Sequence, residues 1–228
     1  YLFSSITYNI IIIKGVIIVL TMNATNNIML DIETVANTNN AAVIQVAIVR
    51  FDWDTGKIGN YLVVKLNLDE QLKKGLDANS STLAWWAETN PQLFKSLLTE
   101  NVESVSQALS KICQFITFND YIWCHATFDI PILNNLLHKF GFKTPWAYKK
   151  CRDIRTLTEL AELDLTQYNW DKEKTHDALD DCRFQIKYCL DAYNKIKGIN
   201  SSNMHEEKIQ ELNKSLLTDE DLRKMYVL

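Results

Sequence analysis

Two carboxylates at the end of an apolar run are the first feature of this sequence that could do chemistry. Asp31 and Glu33 follow the apolar residues 28–30. Successive side chains of a β-strand point to opposite faces, so a strand over residues 28–34 places both acids on one face. Buried carboxylates persist when protonated, matched to cations or bound to metal, and hard oxygen ligands favour Mg²⁺ or Mn²⁺ over zinc. The alternative is a strand that runs into solvent, where the acids are simply hydrated.

Acidic residues also stand where two later helices are predicted to begin. A strand over residues 121–125 leads to Asp129, and Pro131 suits the first turn of a helix there. A second, longer helix is predicted after His176, with Asp181 on its first full turn. With His176 in the preceding loop, both side chains can reach one site. The simpler interpretations are that Asp129 is an ordinary helix N-terminal acid and that His176 is a surface or capping histidine.

The elements that must position these residues follow from hydrophobic periodicity. Residues 42–51 and 61–66 form an antiparallel hairpin after the first strand, and helices and two more short strands follow. This order predicts an α/β domain with a mixed five-stranded sheet flanked by helices, its first strand central. In that arrangement acids from three segments meet at one end of the sheet: Asp31, Glu33, Asp129 and Asp181.

Composition limits the classes of function. The chain has 228 residues, 47% hydrophobic and 23% charged, which is typical of a globular protein. A net charge of −4 gives no global basic field, so nucleic-acid binding would need a local patch or bound metal. Five cysteines without a C-x-x-C motif predict reduced thiols of an intracellular protein. With six glycines and no glycine-rich phosphate loop, Rossmann and P-loop cofactor sites are disfavoured.

The two ends of the chain differ from its middle. The apolar stretch 8–20 is interrupted by Lys14 and Gly15 and is short for a membrane span. We interpret residues 1–21 as a non-native upstream extension, with translation beginning at Met22; a membrane anchor is the alternative. Residues 22–197 are the predicted catalytic domain, and the polar, charged residues 198–228 are a predicted helical tail. No membrane association is expected.

Two features suit nucleic-acid binding. Trp85 and Trp86 are adjacent on a predicted helix, so they point about 100° apart, and one could offer a platform on which a nucleobase stacks. The alternative is that both belong to the core. The basic stretch 143–155 includes Arg152 and Arg155 and could contact phosphates, or it could be a solvated face. Arg155 could equally form an internal ion pair with Asp153.

Three segments together resemble the motifs of the DEDDh (DnaQ-like) family of 3′→5′ exonucleases. They are Asp31-Ile-Glu33, Phe128-Asp129 and His176-x-Ala178-x-x-Asp181. Ser81-Thr82-x-x-Trp85-Trp86, Pro145-Trp146 and the segment 152–157 further resemble the subgroup of phage exonuclease A and the mycobacterial-type exoribonuclease domain. The resemblance covers about residues 28–195. One departure is the segment 123–129, where relatives usually have a glycine and often one more residue.

The resemblance implies a ribonuclease-H-like fold and two-metal phosphodiester hydrolysis. It assigns two Mg²⁺ or Mn²⁺ ions to the four acids and the role of general base to His176. The implied substrate-binding set is Thr34, Trp85, Trp86, Phe128, Arg152 and Arg155. The implied substrate is the 3′ end of single-stranded DNA, from which 5′-mononucleotides are released. The alternative substrate is the 3′ end of RNA. A homodimer and a cytoplasmic location, in a host if the chain is phage-encoded, are further predictions.

Two other classes of function remain open from the residues. A catalytically silent nucleic-acid-binding module could use the same fold, although such a module would not need all four acids and the histidine. A structural protein could use the four carboxylates as a calcium site.

Overall fold

The computed structural model describes residues 7–13, 16–22, 26–168 and 176–198, and its framework is a mixed sheet of six strands. An antiparallel pair, β1 and β2, forms a separate two-stranded sheet. The strands are β1 (Thr7–Ile13), β2 (Val16–Met22), β3 (Asn27–Thr34), β4 (Val43–Phe51), β5 (Ile58–Leu66), β6 (Val102–Glu103), β7 (Tyr121–Cys124) and β8 (Cys151–Asp153). The order in the large sheet is β6-β5-β4-β3-β7-β8.

Helices connect and cover these strands. They are α1 (Leu68–Lys73), α2 (Ser80–Thr89), α3 (Pro91–Thr99), α4 (Val105–Phe115), α5 (Asp129–Lys139), α6 (Ile154–Leu160) and α7 (Ala178–Ile196). Short 3-10 turns lie at Tyr148–Lys150 and Leu165–Gln167. No helix within these described ranges is both long enough and apolar enough to span a membrane.

The central position of β3 confirms the predicted arrangement of the sheet. β3 pairs antiparallel with β4 and parallel with β7, and β4 and β5 form the predicted antiparallel hairpin. Both faces of β3 and β4 are covered, so these two strands are buried along nearly their whole length.

The sheet has one strand more than the five predicted. The additional strand is β6, a two-residue strand shortly before α4. Asn101 adopts a left-handed backbone conformation with φ of 56°, and the next two residues pair with β5. The Ser104 hydroxyl accepts a hydrogen bond from the Gln107 amide and caps α4, so the helix begins at Val105. Helical periodicity alone does not locate this cap.

Alternation along β3 divides its side chains between two cores. Ile28, Leu30 and Ile32 pack into the larger core, which includes residues of α3, α4 and α5. Met29 packs into a second core with Cys182 and other residues of α7. Asp31 and Glu33 follow Met29 at alternate positions and therefore face the side of the sheet that α7 covers. Each fully buried aliphatic side chain contributes roughly 1.5–3 kcal/mol to this packing.

The sheet opens at the carboxyl end of β3. Its pairing with β7 ends at Met29, opposite Trp123, while its pairing with β4 continues to Thr34. The register with β4 shifts between Glu33 and Thr34. The second half of β3 therefore has a strand neighbour on one side only, and the acids it carries lie at this opening. Apart from Gly198, the predicted tail over residues 198–228 lies outside the described residues, and the proposed domain boundaries stay predictions.

Candidate active site

Four buried carboxylates meet where β3, α5 and α7 come together. The exposed fractions are 7% for Asp31, 8% for Glu33, 2% for Asp129 and 9% for Asp181. Ligand atoms of Asp31 and Asp129 lie within 4.8 Å of each other, and those of Glu33 and Asp181 are equally close. The structure thus brings together the acids of three segments that are distant in sequence.

The Asp129 carboxylate is fixed by the turn between β7 and α5. Its Oδ2 accepts a hydrogen bond of 2.7 Å from the backbone amide of His125. The His125 carbonyl accepts in return from the amides of Phe128 and Asp129, at 2.8 and 2.9 Å. Asp129 is also the first residue of α5, where a negative side chain interacts favourably with the helix dipole.

Asp181 is positioned by the capped start of α7. Asp177 is the N-cap, and its Oδ1 accepts from the amides of Leu179 and Asp180 at 3.1 and 3.3 Å. The amide of His176 donates to Asp181 Oδ2 at 3.2 Å. The capped helix start therefore orients both the histidine and the acid.

Two glutamines, which were not predicted as site residues, join α7 to the sheet. Gln45 of β4 donates to Asp177 Oδ2 and accepts from the Ala178 amide, both at 3.0 Å. Gln185, one turn after Asp181, donates to Asp31 Oδ1 at 2.8 Å. Gln45 could have been found from the sequence, because it is the one polar residue within the apolar stretch 42–49.

Burial of the four acids makes their charged forms unfavourable. Burial, followed by the nearby Asp181, raises the pKa of Asp31 to about 8. Burial is also the main cause of the other shifts. It raises the pKa of Asp181 to about 7, and it raises the pKa values of Glu33 and Asp129 well above their usual range. Within the described ranges none of the four acids forms an ion pair.

This environment fits divalent cations. Four carboxylates supply hard oxygen ligands, and a cation would compensate the charge that burial leaves unfavourable. The Oε1 atom of Gln185 is buried beside Asp31 and has no hydrogen-bond partner in the part of the chain that the structure describes. Such an atom is usually satisfied by water or by an ion-bound ligand.

His176 stands beside Glu33 and Asp181. One ring nitrogen of His176 and one carboxylate oxygen of each acid all lie within 4.8 Å of one another. His176 has a left-handed backbone with φ of 70°, which is uncommon for a residue other than glycine. Burial lowers the pKa of His176, so its imidazole is neutral at neutral pH.

The two tryptophans take different positions. Trp85 is 41% exposed, and its ring meets the His176 ring edge-on with 4.7 Å between centroids. Trp86 is 1% exposed, stacks on Phe94 and donates from its indole N–H to the Thr34 carbonyl at 2.9 Å. This burial leaves the Trp86 ring little surface for a nucleobase, and its role in substrate binding stays a prediction. The expectation that one of the pair packs inward is met.

The two candidate arginines differ in their distance from the acids. Arg155 forms an ion pair with Asp153 and donates to Thr127 Oγ1 at 2.7 Å, which agrees with the internal ion pair considered from the sequence. It still lies near enough to Asp129 to oppose the rise of that pKa. Arg152 instead donates to the carbonyls of Lys149 and Cys151 and lies 5.0 Å over the Tyr121 ring, along the edge of the sheet.

Thr34 and Phe128 flank the acids in the chain. Thr34 is buried, and its hydroxyl donates to the Ala36 carbonyl at 2.6 Å. Phe128 is half-buried and packs against the larger core immediately before α5. Their roles in substrate binding, like those of Trp85, Arg152 and Arg155, stay predictions.

The comparisons with known proteins agree with this geometry. The family model of the 3′-5′ exoribonuclease Rv2179c-like domain matches residues 26–193, which is most of the chain. The chain belongs to this family. It is also similar to the exodeoxyribonuclease of Enterobacteria phage T4, with 27% identity over 78% of this chain and 94% of that protein. The predicted DEDDh (DnaQ-like) 3′→5′ exonuclease family is confirmed.

Solved structures of exonucleases share the fold. An exonuclease I from Methylocaldum szegediense matches 75% of this chain with a TM-score of 0.52 and 15% identity. The zinc-bound Escherichia coli ExoI–ssDNA complex also matches 75% of it, with a TM-score of 0.52 and 14% identity. The chain spans about two fifths of the length of each, 42% and 40%. These likenesses confirm the ribonuclease-H-like exonuclease fold.

Proposed function

We propose that this protein is a divalent-metal-dependent 3′→5′ exonuclease that removes 5′-mononucleotides from the 3′ end of single-stranded DNA. One observation carries the proposal: buried acids from β3, α5 and α7 converge without cationic partners among the described residues. A silent binding module would not need to maintain so unfavourable a cluster. The matched family supports the same class of reaction.

The acids and His176 have complementary roles in this mechanism. Asp31, Glu33, Asp129 and Asp181 would hold two Mg²⁺ or Mn²⁺ ions, which when bound would activate a water and stabilise the charge on the leaving oxygen. His176 would accept the proton of the attacking water, because its imidazole is neutral and lies beside Glu33 and Asp181. Gln185 and the His125 amide hold the carboxylates of Asp31 and Asp129 in place.

Trp85 is the side chain best placed to hold the terminal nucleotide. Its ring is partly exposed and borders His176, so a base stacked on it would bring the terminal phosphodiester towards the acids. Arg155, held by Asp153 and Thr127, would contribute positive charge near Asp129 for the backbone of the strand.

DNA is the proposed substrate because the similar phage T4 protein, matched over nearly its whole length, is an exodeoxyribonuclease. RNA trimming is the second candidate, and it is favoured by the description of the matched family as exoribonuclease. A homodimer and a cytoplasmic location stay predictions.

The test uses the full chain and matched DNA and RNA oligomers labelled at the 5′ end. With Mg²⁺ or Mn²⁺ we expect stepwise shortening from the 3′ end, 5′-mononucleotides by chromatography, and no reaction in EDTA. Asp31→Asn is expected to lower the rate at least about a hundredfold, because it removes a carboxylate that would hold metal. Asp69→Asn, an exposed acid on α1, is the matched control. Equal trimming by both variants, or shortening from the 5′ end, would refute the proposal.

A further inference from the structure

The acids of the site form two groups, and each group includes a histidine. Glu33 and Asp181 lie with His176, the proposed general base. Asp31 and Asp129 lie with His125, whose ring nitrogen is within 4.8 Å of a carboxylate oxygen of each acid. His125 therefore occupies, on the α5 side of the site, a position comparable to that of His176 on the α7 side.

The backbone of His125 is held firmly at this place. Its amide donates to Asp129 Oδ2, and its carbonyl accepts from the amides of Phe128 and Asp129. These three bonds, of 2.7 to 2.9 Å, attach the residue to the first turn of α5. The backbone from which the imidazole extends is consequently fixed beside the Asp129 carboxylate.

The side chain of His125 has no hydrogen-bond partner among the described residues. It is half-buried, yet in the region that the structure covers its imidazole makes no hydrogen bond to another side chain or to the backbone. A half-buried imidazole usually finds a hydrogen-bond partner or a metal. Arg155 and Asp153 act electrostatically on the ring. The carboxylates of Asp31 and Asp129 lie within 4.8 Å of it, and one cation could bridge these three groups after small rotamer adjustments.

We propose that His125 is a metal ligand, and that it completes a nitrogen–oxygen–oxygen site with Asp31 and Asp129. This inference rests on the proposed function, because it concerns the cation that the same acids would hold. Imidazole is a good ligand for Mn²⁺ and later transition metals, whereas Mg²⁺ strongly prefers oxygen ligands. The position on the α5 side therefore selects Mn²⁺ or another transition metal over Mg²⁺.

The decisive measurement is the pulsed electron paramagnetic resonance spectrum of Mn²⁺ bound to the full chain without nucleic acid. Coordination by imidazole gives a nitrogen modulation of the manganese signal. We expect this modulation in the wild type and in His176→Asn, and its loss in His125→Asn. His138→Asn, an exposed histidine near the end of α5, is the matched control and should keep the signal.

Calorimetric titration with each metal alone gives a second readout. His125→Asn is expected to weaken Mn²⁺ binding about tenfold or more while Mg²⁺ binding changes much less. Absence of nitrogen modulation in the wild type, or its persistence in His125→Asn, would overturn the proposal. If His125→Asn does not fold, the proposal is still tested, because absence of the modulation in the wild type overturns it and loss of the modulation in His176→Asn assigns it to the other histidine.

Failure of this inference and failure of the proposed function give different results. If the wild type trims DNA but its bound Mn²⁺ shows no nitrogen coordination, the exonuclease proposal stands and the role of His125 as a ligand is refuted. Nitrogen-coordinated Mn²⁺ in a protein that releases no nucleotide supports the ligand and refutes the enzyme.

Discussion

At the scale of single residues, His176 combines an uncommon backbone conformation with a ring that borders two acids. Replacement by asparagine tests the imidazole without changing the backbone, because asparagine tolerates the left-handed region. We expect His176→Asn to lower kcat by about 10²–10⁴-fold, the usual contribution of a general base. His138→Asn is the control, and comparable rates for the two variants would contradict the assignment.

The lowered pKa of His176 also predicts a pH profile. Burial disfavours the imidazolium, so the neutral base persists below the ordinary pKa of 6.5. In a plot of kcat/KM against pH, any fall of activity caused by protonation of His176 is expected below pH 6.5. The profile should be measured with wild type and with His176→Asn at saturating metal. If activity falls at the same pH in both proteins, a group other than His176 causes the fall.

The two tryptophans predict opposite effects from neighbouring positions. Trp85→Ala should raise KM by roughly 5- to 100-fold with little change in stability, because stacking contributes about 1–3 kcal/mol per base. Trp86→Phe should lower the free energy of unfolding by about 1–3 kcal/mol, because the Thr34 carbonyl loses its buried donor. Steady-state kinetics and urea unfolding of both variants separate the roles. If only Trp85→Ala lost stability, the two roles would be the reverse of those proposed.

At the scale of elements, the start of α7 connects the fold to the site. Asp177 caps the helix and bonds to Gln45, while Asp181 follows on the first turn. Asp177→Ala is expected to cost about 0.5–2 kcal/mol of stability, as for other N-caps, and also to lower activity by displacing Asp181. Urea unfolding and the trimming assay would be run on the same protein samples.

A second cap supplies the control for this prediction. Ser104 caps α4, which carries none of the predicted site residues, so Ser104→Ala should lower stability by a similar amount and leave the trimming rate unchanged. If the two variants lose activity equally, the effect of Asp177→Ala is a general loss of folded protein.

The main helices and strands could be predicted from the sequence more accurately than their ends and their tertiary contacts. Alternation in β3 placed Asp31 and Glu33 on one face, and the predicted start of the last helix after His176 placed that residue within reach of Asp181. It did not reveal β6, because two residues of strand next to a helix leave no periodicity of their own.

The long-range hydrogen bonds that support the site could not be predicted from the sequence. The bonds of Gln45 and Gln185 join residues more than 130 positions apart and depend on how α7 packs on the sheet. The difference in burial between Trp85 and Trp86 similarly depends on which side of α2 packs against the core. Local patterns carry no information on such tertiary contacts.

At the scale of the whole molecule, the acid cluster makes stability depend on pH. The pKa of Asp31 rises to about 8 and that of Asp181 to about 7, both above the ordinary value of 3.8. The folded state therefore binds protons more tightly than the unfolded state, and metal-free protein loses stability as the pH rises from about 4 to 8.

This prediction is checked by thermal unfolding in EDTA across that range. We expect the Tm to fall with rising pH, by roughly 2–4 °C for each kcal/mol lost, and the slope to be smaller in Asp31→Asn. Excess Mn²⁺ at pH 8 should raise the Tm, because it binds the folded acids. A Tm of the metal-free protein that is constant or rises over the range would contradict the prediction.

The order in which the site residues occur along the chain has a consequence for biosynthesis. β3 leaves the ribosome early, whereas Asp181 belongs to α7, the last of the described elements. A nascent chain therefore lacks one of the four acids until nearly all of residues 26–196 have been synthesised. Because chains lengthen by only about 5–20 residues per second, we expect an interval of seconds in which the unfinished polypeptide cannot degrade nucleic acid close to the ribosome.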